Sequence, residues 1–85
     1  MARLLDFYAT WCGPCKVLSK KLDSFDVCEV VKFDIEEESS EALVEKYGIK
    51  SVPTLVLVND NQEKIKSWTG LQDINKLKEE ILLII

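Results

Sequence analysis

Trp11-Cys12-Gly13-Pro14-Cys15-Lys16 sets two thiols three residues apart where an apolar strand gives way to a helix. Side chains at i and i+3 of a helical turn share a face, so these sulfurs can close a disulfide with little backbone movement. A bond that closes readily can also open and close repeatedly. Cys12 falls at the expected helix N-terminus, where unpaired backbone N–H groups and the positive end of the helix dipole stabilise a thiolate. Pro14 suits the first turn, having no N–H to lose there. Lys16 either adds positive charge near the thiolate or is simply a solvated side chain.

Two blander readings of the pair are weaker. Half of a zinc site would need further ligands, and the chain offers only Cys28 and carboxylates, with no histidine. No metal is therefore expected. A purely structural disulfide closing so small a loop removes little chain entropy and stabilises poorly.

Composition narrows the setting. The 85 residues, 47% of them hydrophobic, predict one domain over 1–85 with a small core. A formal net charge of −4 argues against a nucleic-acid surface. Asp6 interrupts the apolar start before a signal-peptide core could form, so no export signal is expected. Three cysteines, one left unpaired, then point to a reducing compartment, the cytoplasm. The terminal run Ile81-Leu82-Leu83-Ile84-Ile85 is too short to span a bilayer and reads first as the last turn of a core-packed helix, with an exposed sticky end as the alternative.

The elements that must position the thiols alternate along the chain. Arg3–Tyr8 is apolar on nearly every residue, as a sheet centre covered on both faces requires. Cys15 to about Phe25 carries Val17, Leu18, Leu22 and Phe25 at helical spacing. Val27–Ile35 is β-branched and reads as a second strand; Cys28 within it is expected to be a small buried hydrophobe with an inert thiol. The acidic run Glu36–Glu38, with Ser39 and Ser40 as hydroxyl caps, opens a short helix bearing Leu43, Val44 and Tyr47 that Gly48 stops. Thr54–Val58 is a buried strand, Asn59–Gln62 a turn, and Glu63–Thr69 its antiparallel partner, with Trp68 a packing residue. Asp73 caps a last helix that turns Ile74, Leu77 and Ile81 inward. The order βαβαββα predicts an α/β fold, a mixed four-stranded sheet (order 2-1-3-4) with helices on both faces.

Several landmarks in sequence order carry a resemblance: Asp6-Phe7-Tyr8-Ala9-Thr10-Trp11-Cys12-Gly13-Pro14-Cys15-Lys16, then Tyr47-Gly48-Ile49, Val52-Pro53-Thr54 and Gly70. Together they resemble the thioredoxin family over nearly the whole chain. The strand and helix that usually precede the first active-site strand in that family are absent from this sequence, which implies a near-minimal form of the fold. Tyr8 stands where the family commonly has tryptophan.

The resemblance implies that Cys12, exposed at the helix tip, attacks a substrate disulfide and that Cys15 resolves the mixed disulfide. Asp6 is the matching proton acceptor for Cys15. A carboxyl between Leu5 and Phe7 is costly to bury ionised, so its pKa should be raised; simple pairing with Lys32 across the sheet is the alternative. Gly13 and Pro14 resemble the pair found in reducing members. Trp11 is expected to be partly exposed beside the thiol, in reach of substrate. Pro53, a proline just before a buried strand, is cis in the family and faces the cysteines, leaving the Val52 backbone free to pair with an extended substrate segment. Ile49, Thr69 and Gly70 would complete the apolar rim, although Gly70 also suits a plain break before the last helix.

The implied activity is reduction of disulfide-containing substrate proteins, with re-reduction by a thioredoxin reductase or similar dithiol donor. Neither a metal nor a bound organic cofactor is called for, only the redox-active Cys12–Cys15 pair. The implied protein is a cytoplasmic monomer that binds neither nucleic acid nor membrane. A glutaredoxin-like reductase recycled by glutathione and a non-catalytic binding subunit are the alternatives.

Overall fold

Two strands of this chain are hydrophobic on both faces, and they become the centre of the sheet. The structure, a computed structural model, describes residues 1–85. Its elements are β1 (Arg3–Tyr8), α1 (Gly13–Leu22), β2 (Glu29–Asp34), a 3-10 turn at Glu38–Ser40, α2 (Glu41–Lys46), β3 (Thr54–Val58), β4 (Lys64–Thr69) and α3 (Ile74–Ile84). The strands lie in the order β2-β1-β3-β4. β1 runs parallel to β2 and antiparallel to β3, and β3 is antiparallel to β4. The expected order and mixed character are both present.

Strand alternation divides the core. Leu4, Leu55 and Leu57 point to one face and pack with Leu18, Leu22, Phe25, Trp68, Leu77 and Ile81. Leu5, Phe7, Val56 and Val58 point to the other, against Leu43, Val44, Tyr47 and Ile49. Phe7 stacks on Phe33 with ring centroids 5.5 Å apart. The Trp68 indole is buried as expected, and its Nε1 donates to Glu80 Oε2 at 2.9 Å. The outer strands are charged instead: Glu29 and Lys32 on β2, Lys64 and Lys66 on β4, all exposed.

Several local expectations need correction. α1 ends at Leu22, and Phe25 reaches the core from the turn that follows. Val17 is 46% exposed, because Cys15, Leu18 and Leu22 already occupy the inner stripe of α1 and Val17 lies off it. Cys28 precedes β2 rather than lying in it and is half-buried; burial still pushes its thiol pKa up. Ser40 precedes α2 but makes no capping bond, since its backbone is already helical and a side-chain cap needs an extended residue. Tyr47 lies just past α2, its hydroxyl donating to the Gln62 carbonyl at 2.6 Å. In the terminal run only Ile81 is buried, while Leu82, Leu83, Ile84 and Ile85 are exposed. One inner stripe cannot seat five consecutive apolar residues.

Other local signals read correctly. Asp73 accepts from the Asn75 and Lys76 N–H groups at 2.9 and 3.3 Å. Gly48 ends the α2 turn with φ of +62°, a conformation glycine adopts without the usual Cβ penalty.

Candidate active site

The C-terminal end of β1 delivers the chain to the N-terminus of α1, and both active sulfurs sit at that junction. Cys12 is the residue that caps α1, its backbone extended, with Gly13 and Pro14 forming the first helical positions. Its sulfur accepts the Cys15 backbone N–H at 3.2 Å. No acidic residue occupies the first turn of α1 to oppose a negative sulfur there. The helix end and the amide at the sulfur both favour the thiolate form once the disulfide is reduced.

Cys12 and Cys15 are joined in a disulfide, their Cα atoms 5.2 Å apart. Both are buried, Cys15 at 2% and Cys12 at 5% exposure, and they pack with Ala9. Cys12 is therefore less open than a helix tip suggests, because Tyr8, Ile35 and Val52 close around the pair. Ile35 was invisible as a site residue from sequence, where it reads only as the end of a β-branched run. The residues either side of Cys12 are open: Trp11 is 66% exposed, and Gly13 and Pro14 are exposed.

The expected groove is only partly assembled around the sulfurs. Val52 touches their cluster, and its bond to the buried Pro53 is cis. The Pro53 carbonyl accepts the Gly70 N–H at 2.9 Å, so Gly70 joins this wall. Ile49 belongs to the other side of the sheet, packing on the Phe7 cluster. It lines a cleft of about 230 Å³ with Tyr47, Thr54 and Thr69.

Asp6 lies on the α1 side of the sheet, in register with Leu55 on β3 and Lys32 on β2. It is 0% exposed, and neither carboxyl oxygen has a hydrogen-bond partner. Burial pushes its pKa up to about 6, with the Lys32 charge pulling the other way. The simple Lys32 pairing is not made, since the Lys32 ammonium bonds to Ser19 on α1 and to Asp23 at its C-cap. Beside Cys15 an open cleft of about 380 Å³ runs along Tyr8, Thr10, Ser19 and Asp23.

The raised Asp6 pKa carries a stability consequence. The folded chain binds this proton more tightly than the unfolded chain, whose carboxyl keeps its ordinary value of 3.8. Stability from this group is therefore full below that value and is lost as pH climbs to about 6, a loss of about 3 kcal/mol. Urea unfolding of the wild type and Asp6→Asn on both sides of this window is expected to show that loss in the wild type alone.

A family model described as Thioredoxin matches residues 1–82. A thioredoxin of Chlamydia caviae is 40% identical over 76 residues, covering 87% of this chain and 74% of that protein. A thioredoxin of Bacillus subtilis is 36% identical over 81 residues, covering 89% and 75%. Among solved structures, a mutant thioredoxin from Halobacterium salinarum superposes with a TM-score of 0.79 at 42% identity, over 94% of this chain and 71% of that one.

Proposed function

The chain belongs to the thioredoxin family and is a thiol-disulfide oxidoreductase, and we propose that Cys12 is its nucleophile, Cys15 its resolving thiol and Asp6 the proton acceptor. The observation that carries this reading is the Cys12–Cys15 disulfide at the N-terminus of α1, with a Cys15 amide on the Cys12 sulfur. The family match does not favour the glutaredoxin-like alternative.

In the reduced protein the Cys12 thiolate attacks one sulfur of a substrate disulfide. The substrate S–S bond breaks, one substrate thiolate leaves, and a mixed disulfide forms. Cys15 then gives its proton to the Asp6 carboxylate and attacks the Cys12 sulfur, breaking the mixed bond and releasing the second substrate thiolate. The substrate has gained two electrons, and the protein is left with the Cys12–Cys15 bond described above. A carboxyl titrating near neutrality suits that proton transfer better than one at its ordinary value.

Trp11, Gly13, Pro14, Val52, Pro53 and Gly70 form the docking wall in this reading, with Ile49 at a more distant rim. Trp11→Ala is expected to lower kcat/KM for a protein disulfide by about tenfold, as loss of an exposed aromatic anchor does. Stability should change by less than about 0.5 kcal/mol, because the side chain packs little. Paired kinetics and thermal unfolding check both halves.

Family membership implies disulfide substrates and a reductase partner, with the disulfide itself as redox group. No helix is long and apolar enough to cross a membrane. The reading extends to one domain over 1–85 acting as a cytoplasmic monomer, served by a thioredoxin reductase or similar dithiol donor, with no metal, organic cofactor or nucleic acid. The unpaired Cys28 supports a reducing compartment. Insulin-disulfide reduction, together with the dithiol reduction potential, tests the assignment. Efficient reduction and a reducing potential are expected; a strongly oxidising potential would overturn it.

A further inference from the structure

An acid buried without a partner beside a lysine that bonds elsewhere poses a physical question. Asp6 and Lys32 are cross-strand neighbours in register, so opposite charges start out side by side. Yet the Asp6 oxygens accept no hydrogen bond. The Lys32 Nζ instead donates to Ser19 Oγ at 2.6 Å and Asp23 Oδ1 at 3.3 Å. Ser19 on α1 and Asp23 at its C-cap stand four residues apart, with Asp23 still helical in backbone, which lets one ammonium meet both.

The groups around Asp6 make Lys32 decisive. The helix packed on this face of the sheet, α1, carries Cys15 and is capped by Asp23; β2 brings Lys32 beside Asp6, with Asp34 further along the strand bonded to the Glu36 N–H. β3 contributes only the apolar Leu55 and Leu57 to this face. On the β4 and α3 side Glu80 is already shared by Lys66 and Trp68. Lys32 is thus the cation whose attraction lowers the Asp6 pKa. Ser19 and Asp23 also line the open cleft that reaches Cys15, so the tethered ammonium stays hydrated there.

We propose that Ser19 and Asp23 are positioning residues that tether the Lys32 ammonium to α1 and away from Asp6, leaving the Asp6 carboxylate unpaired to receive the Cys15 proton. This rests on the reading of Asp6 as proton acceptor. Released from the tether, the ammonium approaches the carboxylate and favours its charged form, which makes Asp6 a weaker base. The pH profile of the resolving step then moves to lower pH.

The test is an NMR titration of the Asp6 carboxyl in the full chain, for the wild type, Ser19→Ala/Asp23→Asn, Lys32→Met and the triple variant. Ser19 is half-exposed on a helix, where alanine is favourable, so folding is retained. The double variant is expected to titrate about 1 pH unit lower than wild type and Lys32→Met higher. Adding the two tether changes to Lys32→Met should produce a much smaller downward shift than they do when Lys32 is present. This comparison removes the direct effect of losing the Asp23 charge. No downward shift in the double variant, or an equal one without Lys32, would overturn the proposal. Undiminished disulfide reduction by Asp6→Asn would instead refute the proton-acceptor role, without touching the titration result.

Discussion

Cys12→Ser is expected to cut disulfide reduction by at least about a thousandfold, as removal of a nucleophile does in enzymes that react through one. A serine hydroxyl at the same helix terminus stays protonated near neutrality and is a poor attacker of sulfur. Cys15→Ser should behave differently. It leaves the attack intact and removes only the release step, so a covalent adduct between Cys12 and substrate accumulates. Turnover kinetics with insulin and intact-mass measurement separate the two variants. A loss of less than tenfold for Cys12→Ser would refute the assignment of the nucleophile.

The second large effect lies in the packing that holds the junction. Phe7→Ala should destabilise the fold by about 3 to 5 kcal/mol, the usual cost of deleting a fully buried ring. Phe7 is 0% exposed on the central strand, stacked on Phe33 and tilted against Tyr47 at 6.4 Å. Such a loss is a large fraction of the roughly 5 to 15 kcal/mol typical of whole proteins. Because β1 leads directly to Cys12, the variant should also lose activity in proportion to its unfolded fraction. Urea unfolding measures the first effect, and activity against temperature the second.

Much of this arrangement was legible in the sequence because it depends on local rules. Runs such as Leu4–Phe7 and Thr54–Val58, short, bounded and apolar on nearly every residue, read as strands covered on both faces. Cys12, Asp73 and Gly48 announce helix ends through their own chemistry. What escaped depends on contacts between distant segments. The closing of Ile35 and Val52 over the sulfurs, and the choice of Lys32 between Asp6 and Ser19, are settled by packing across the sheet. Nothing in the spacing of those residues reveals which partner wins. The terminal hydrophobic run misled for a related reason: apolar character records a tendency to be buried, not whether a surface is there to receive it.

The charged outer strands bear on how the protein behaves when crowded. A sheet edge offers unpaired amides to any passing strand, and flat apolar edges template fibrils. The exposed β4 edge, with Lys64 and Lys66 alternating along it, meets an identical copy with like charge against like charge. Expulsion of Asp6, Cys12 and Cys15 from such an edge into the interior keeps the redox chemistry separate from the surface that resists self-templating.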